Sequence, residues 1–410
     1  SKGGMLYAPD VHNSVLGIGN LAESKGARVN SFGFQKDTLC WDLDCMRARL
    51  GEKGNHKHGG NWLFVIPGQS NASGIKHPIG ECIARAKAAG WDVCLDAAAL
   101  APSGGLDLSA STGVDADFVA LSFYKIFGYP TGIGALIARK TSLNKLRKPW
   151  FAGGTVRVVA DPRNTKNKAP TALMHDRDSH EHWEDGTINF QQTMAVTMGV
   201  EMMESIGMVN IALHLDALSH WLAGTVRTLR WPNGARFALI PDVQGPSKQG
   251  STVSFLPVLD DGEILPAPIV ERLAIKRGIA IRTGCFCNPG TGMQMADYHN
   301  GGNRVHFSSW SDLEMIKKMG LVRASVGIPT TFDDVYAFIA CIREDVLTRP
   351  DELRAMAREF MDGEAAAAAK PETEGGEVEF KRRGPKVADD GGAVRVGCRL
   401  PMLKGAFKGR

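Results

Sequence analysis

A lysine and an aspartate 29 positions apart each stand where an apolar run gives way to small residues. Lys125 follows Phe118-Val-Ala-Leu121 and precedes a glycine-bearing segment that leads into a second apolar run, Ala135-Leu-Ile-Ala138. An ammonium is costly to bury unless it is paired or used covalently, and burial lowers its pKa towards that of a working nucleophile. Lys125 is therefore a candidate Schiff-base former, with a lysine that reaches water from a strand end as the plainer alternative. Asp96 closes the apolar strand that starts at Trp91 and is followed by Ala97-Ala-Ala99. Ligands collect at the carboxyl ends of strands in an open α/β sheet, which would put Asp96 on a crevice; a helix cap or a turn is the alternative. An acid at one strand end and an amine at another is what a pyridoxal 5'-phosphate site needs. The carboxylate keeps the pyridine nitrogen protonated, making the ring an electron sink, and the lysine holds the aldehyde carbon.

The elements around these two residues alternate. Strand-like Trp62-Leu-Phe-Val-Ile66, Val93-Cys-Leu95 and Ala135-Leu-Ile-Ala138 are interleaved with helix-like stretches such as Gly80 to Ala89, from Tyr7 to about Ile206. That alternation predicts an α/β fold with a mainly parallel sheet and crossover helices. A long amphipathic stretch from about Met208 to Arg230 links it to a smaller α+β part, with strands near Phe237-Ala-Leu-Ile240 and Val253-Ser-Phe-Leu256 and a closing helix, Phe332 to Val346. The expected domains are a large cofactor-binding domain over 1–207, a linking helix and small domain over 208–346, and a terminal helix with a disordered linker over 347–410. Residues 161–181, polar and rich in basic side chains and histidine, read as a surface loop rather than a metal site.

The chain resembles the class V, fold-type I pyridoxal phosphate family, which includes cysteine desulfurases, and within it the aminotransferase-like domain of the molybdenum cofactor sulfurases. The matching segments run in the family's order over about residues 5–345: Asp10-Val-His-Asn-Ser-Val-Leu-Gly17, Pro67-Gly-Gln-Ser-Asn-Ala-Ser-Gly74, Leu95-Asp-Ala-Ala-Ala99, Ser122-Phe-Tyr-Lys-Ile-Phe-Gly128, Gly153-Gly-Thr-Val156, Glu184-Asp-Gly-Thr-Ile-Asn-Phe190, Gly284-Cys-Phe-Cys-Asn-Pro-Gly290 and Val322-Arg-Ala-Ser325. The lysine segment and the cysteine loop are the most specific.

The resemblance assigns further roles. His12 would stack on the pyridine face, Asn71 would donate to the ring's phenolic oxygen or to substrate, and Ser122 would bind the phosphate. Thr187 would reach the phosphate of a neighbouring subunit, implying a homodimer. Arg323 would clamp the substrate carboxylate, for which a planar fork is suited. Cys287 would carry a persulfide from a mobile loop, kept reactive by positive charge such as Arg282, with Cys285 a neighbour of unassigned role. No further ligand spacing follows the pair, so zinc is not expected. The family's usual Gly-Ala-Cys continuation is replaced by Gly290-Thr-Gly292, so a third loop cysteine is missing.

The implied reaction takes L-cysteine, with Lys125 as base and the Cys287 thiolate as sulfur acceptor, and leaves alanine and a persulfide whose sulfur passes to the molybdenum cofactor. Other class V chemistries remain open: a general cysteine desulfurase, a selenocysteine lyase, an aminotransferase, or a non-catalytic remnant. The retained Phe-Cys-Asn-Pro-Gly loop weighs against the aminotransferase. Relatives carry a phosphate-cradling turn before the His12 region and a further domain after the linker; neither is expected within this sequence, which is read either as a fragment or as a protein that has lost part of its phosphate cup.

Composition sets the outer bounds. A chain of 410 residues, 43% hydrophobic and 22% charged with net charge +4, has room for two cores and no charge pattern calling for nucleic acid or anionic membrane. No apolar run approaches the ~20 residues of a membrane span. Eight cysteines at irregular spacing suggest free thiols and a cytoplasmic setting.

Overall fold

Six strands of one sheet, a short seventh strand and their crossovers build the first half of a computed structural model that describes residues 3–52, 60–104, 106–109, 114–161, 171–245, 247–305 and 320–368. In chain order they are β1 (Gly3–Tyr7), α1 (Asn13–Ser24), β2 (Arg28–Ser31), α2 (Leu43–Gly51), β3 (Asn61–Pro67), β4 (Ile75–Lys76), α3 (Ile79–Ala88), β5 (Asp92–Asp96), β6 (Phe118–Ser122), α4 (Phe123–Phe127) and β7 (Gly134–Ala138). The large sheet has the order β2-β1-β3-β5-β6-β7. Its neighbours run parallel except β6 and β7, which are antiparallel. Parallel strands require crossovers and are covered on both faces, which is why Phe64, Val65 and Ile66 are all buried in one run. In α3, Cys82, Ile83 and Ala86 turn inward while Glu81 and Arg85 pair on the outside.

The sheet is followed by α5 (Lys140–Leu143), β8 (Val156–Ala160), β9 (Thr171–Met174), α6 (Phe190–Ile206) and α7 (Met208–Thr228). β8 and β9 form an antiparallel pair, so the surface loop expected over 161–181 is partly strand; alternation in Thr171-Ala-Leu-Met174 is too short to show against its polar surroundings. Residues 162–170 lie outside the described ones, and among the described residues no cluster of ligating side chains could hold a metal. No single described helix is long and apolar enough to cross a membrane. The pair α6–α7, bent by 73°, passes by length and composition only, and α7 spends its apolar face on the core through Ile211, Leu215, Leu218, Leu222 and Val226.

The second sheet, order β10-β12-β14-β13, is antiparallel and built from β10 (Ala238–Leu239), β11 (Lys248–Gln249, which pairs with β4 instead), β12 (Thr252–Pro257), α8 (Ala267–Lys276), β13 (Arg282–Gly284), α9 (Pro289–His299) and β14 (Leu321–Ser325). The closing helix expected over Phe332–Val346 is α-helical to Cys341 and finishes in a π turn, Ile342–Val346. A capping box between Thr331 and Asp334 starts it. A last helix spans Pro350–Ala368. Residues 1–368 cluster as one unit; the linker expected after it, with Cys398, lies outside the described residues.

The turn after β3 joins the two sheets. Gly74, at φ +77°, lies so close to Thr252 that a Cβ there would fall 1.9 Å from its carbonyl oxygen, so only glycine fits. β4 pairs with β11, the Gly250 N–H donates to the Gly74 carbonyl (2.9 Å), and Gln249 Nε2 donates to the Ser73 carbonyl (3.2 Å).

One stripe of α6 is apolar and exposed. On α6, Phe190, Met194 and Met198 repeat every four residues, and the two methionines are 75% and 71% exposed. Leu136 and Ile137 on β7, Val158 and Val159 on β8, and Ile188 are exposed as well. Scattered single residues of this kind are ordinary, but the stripe along α6 is the sort of feature found at interaction surfaces.

Candidate active site

A cavity of 370 Å³ opens at the carboxyl ends of the large sheet's central strands, and His12, Asn71, Asp96, Ser122 and Lys125 all line it. Asp96 and Ser122 are the last residues of β5 and β6, Lys125 lies on α4 directly after β6, His12 is the N-cap of α1, and Asn71 belongs to the turn after β3. Five residues spread over more than a hundred positions thus meet at the end of the sheet where ligands are received.

Asp96 serves both readings at once: it lines the cavity, and its Oδ1 accepts from the Ala98 N–H at 3.0 Å. His12 Nδ1 accepts from the Ser14 N–H at 3.1 Å, so the neutral ring carries its proton on Nε2. Burial first, and then the Lys125 ammonium, hold this imidazole below its ordinary pKa, while Asp96 pulls the other way. A neutral, partly buried ring is suited to stacking on a pyridine. The Ser122 hydroxyl makes no capping bond to α4. Cys94 also lines the cavity, but burial and Asp96 push its thiol up to about 12, so it stays protonated and unreactive.

Lys125 departs from expectation in one respect. It lines the cavity but is exposed, because α4 begins at the strand end and turns the lysine to its open side. Desolvation, the first reason for singling it out, is therefore not what marks it among the described residues; its place beside His12 and Asp96 is. Thr187 is exposed and does not line this chain's cavity.

The cysteine loop docks on the turn that carries His12. It connects β13 to α9, and Cys285 and Cys287 are exposed. The Asn13 N–H donates to the Cys287 carbonyl at 2.8 Å, which puts Cys287 beside His12. Asn288 Nδ2 donates to the Asp10 carbonyl (2.7 Å) and to Asn71 Oδ1 (3.0 Å). Gly290 abuts Pro9, where a Cβ would meet the carbonyl oxygen at 1.8 Å. A mobile loop was expected; this one is held, with Phe286 buried and with Phe286 and Cys287 both left-handed at φ 57° and 55°. Asn71 Nδ2 donates to the Phe286 carbonyl (2.7 Å), not to a group in the cavity.

Arg323 stands behind this loop on β14, opposite Arg282. Its Nη1 donates to the Asn71 carbonyl (2.8 Å) and its guanidinium lies 4.6 Å over the Phe286 ring. Burial and then the Arg282 charge lower its pKa, its Nε is buried without a partner, and among the described residues no carboxylate pairs with it. A half-buried guanidinium with a buried, unpartnered Nε and no counter-charge is suited to receive an anion.

A supporting network lies beneath, which the sequence motifs did not reveal. Buried Asp10 accepts from Trp41 Nε1 (2.7 Å) and hydrogen-bonds His77 Nε2 (3.3 Å), and the Trp41 and His77 rings stack at 3.9 Å. Only the pairing of a buried acid with the start of α1 hints at it, and its partners lie 31 and 67 residues away. Asp10→Ala leaves two buried donors unsatisfied, so we expect about 2–4 kcal/mol less stability, read as a lower urea midpoint, with Asp10→Asn losing less.

The chain belongs to the aminotransferase class V family, whose profile matches residues 3–338. It is 32% identical over 375 residues to a molybdenum cofactor sulfurase of Bombyx mori, covering 83% of this chain and 43% of that protein. It is 33% identical over 356 residues to the molybdenum cofactor sulfurase of Homo sapiens, covering 82% and 38%. The chain thus spans about two-fifths of the length of these relatives. Among solved structures, an apo cysteine desulfurase of Thermococcus onnurineus shares the fold with a TM-score of 0.65 at 22% identity, over 85% of this chain and 74% of that one. A cysteine desulfurase of Escherichia coli does so at 0.62 and 18%, over 83% and 71%.

The class V family uses pyridoxal 5'-phosphate, and the residues present fit that group. An amine, a carboxylate and a neutral imidazole share one cavity with the Ser122 hydroxyl, and the orphaned Arg323 Nε lies behind its Asn71 wall.

Proposed function

We propose that this chain is a pyridoxal phosphate-dependent cysteine desulfurase unit that takes sulfur from L-cysteine onto Cys287 and passes it on to the molybdenum cofactor. The observation that carries this reading is the docking of Cys287 beside His12, at the rim of the cavity that holds Lys125 and Asp96. When bound, the cofactor supplies an electron sink for the substrate α-carbon. Lys125 Nζ would hold it and would then serve as the base for the substrate α-proton. Asp96 keeps the proton on the pyridine nitrogen, and Arg323 takes the substrate carboxylate as a fork. The Cys287 thiolate would attack the substrate sulfur: an S–S bond forms, the C–S bond breaks, and its electron pair goes to the β-carbon, which takes up a proton, so that alanine and a persulfide result. The metal cofactor as final acceptor is favoured by the two relatives of that name.

Incubating the protein with pyridoxal phosphate and L-cysteine should yield alanine together with a persulfide on the Cys287 peptide by mass spectrometry. Alanine without any Cys287 persulfide would point to a different lyase chemistry.

The active form is read as a homodimer paired over the exposed apolar face. Thr187 lies three residues before α6, close in sequence to exposed Ile188 and Phe190, and would enter the partner's cavity. Sedimentation equilibrium should give a dimer, and Met194→Glu combined with Met198→Glu a monomer. The seven described cysteines, all free, support a reducing compartment such as the cytosol.

A further inference from the structure

We propose that the cysteine loop and the amino-acid substrate compete for the same two side chains, so that filling the cavity unlatches the loop and frees Cys287 to move. The inference rests on the reading of Asn71 and Arg323 as substrate-holding residues. Both are committed to the loop. Asn71 uses the two ends of its amide on it, donating from Nδ2 to the Phe286 carbonyl (2.7 Å) and accepting at Oδ1 from Asn288 Nδ2 (3.0 Å). Arg323 covers the Phe286 ring at 4.6 Å and leaves its Nε buried and unpartnered.

Phe286 is the peg of the latch. It is buried in a small apolar cluster with Leu39, Ala72, Ile75 and Leu256, beneath the turn that bears Asn71. Its left-handed backbone, and that of Cys287, is one that L side chains hold only where surrounding contacts over-determine it. Removing those contacts lets the loop relax. A carboxylate reaching Arg323 forms charge-assisted, forked hydrogen bonds, which outweigh the contact of a guanidinium with a ring face. The arriving anion therefore draws Arg323 off Phe286, and a ligand group that takes Asn71 Nδ2 releases the Phe286 carbonyl. In the latched state Cys287 is parked at the rim; its thiol is freed when there is sulfur to collect.

The Asn13 amide reports the latch directly. As the first residue of α1 it has no helical acceptor, and its N–H bonds the Cys287 carbonyl. Hydrogen exchange by mass spectrometry on the full, cofactor-loaded chain should follow the peptides holding Asn13 and residues 285–288. Without amino acid, Asn71→Ala and the closer-sized Asn71→Asp should each speed exchange there about tenfold, what one such hydrogen bond is worth in an opening equilibrium. Phe286→Leu, which keeps an apolar side chain, should do the same. Exchange as slow in these variants as in the wild type would overturn the latch. Saturating L-alanine, which has no sulfur to give, should speed exchange about tenfold in the wild type and by less in Asn71→Ala, where only the contact of Arg323 with Phe286 remains to be released. A ligand that shifts the cofactor's visible absorbance yet leaves exchange unchanged or slower overturns the competition. No absorbance shift at any concentration overturns the reading of the cavity itself, and the ligand-free variants still judge the latch.

Discussion

Cys287→Ser is expected to bring persulfide formation to background and to stop alanine release beyond it, while Cys285→Ser retains most of the activity. The two thiols are one residue apart and both exposed, so exposure does not separate them. Position does: the Cys287 carbonyl is tied to the Asn13 N–H, the residue after His12, and Phe286 between the thiols is buried as the loop's anchor. A serine hydroxyl is the same shape but cannot accept sulfur, since the chemistry needs a thiolate. Measuring alanine and bound sulfur side by side in both variants decides it. Equal loss in Cys285→Ser would mean that the loop turns over in solution and presents the other sulfur.

Lys125→Ala should lose the yellow absorbance of lysine-bound cofactor and at least about 10⁴-fold in rate, the upper range for a positioned proton-transfer group. Borohydride reduction should fix the cofactor on the Lys125 peptide of the wild type and on no peptide of the variant. The fold predicts the specificity of this effect. Lys140 and Lys145 lie near in sequence but do not line the cavity, whereas Lys125 does, with its charge felt by His12. A variant that keeps the absorbance would show that another amine holds the aldehyde.

How much of this was legible beforehand depended on how local each signal is. Asp96 and Lys125 were found because a strand end followed by small residues is written within ten positions. The mainly parallel sheet, α7 and two strands of the small sheet were likewise legible from periodicity; the antiparallel order of that sheet was not. The reversal of β7 was not, since an apolar run carries no direction. Nor was the exposure of Lys125, which depends on which side of α4 is covered. The ties that make the site are the least visible of all: Asn71 and Asn288 are 217 residues apart, and Asn71 and Arg323 are 252 apart. No residue pattern of turn and loop announces that an amide in one will fasten the other. The resemblance brought Asn71, Cys287 and Arg323 together by analogy; the fold ties Asn71 to Phe286, Asn288 and Arg323 by hydrogen bonds.

The seam between the two sheets sets what kind of movement the molecule can make. With Gly74 wedged against Thr252, β4 laced to β11, and the Gly250 amide fastened to the Gly74 carbonyl, the described residues show no slack joint on that side about which one half could swing as a body. Enclosure of a small molecule here has to come from parts a few residues long, so binding should leave the radius of gyration unchanged while altering local mobility. Small-angle scattering with and without an amino acid would then give superimposable curves, a signature opposite to that of proteins that shut like a clam.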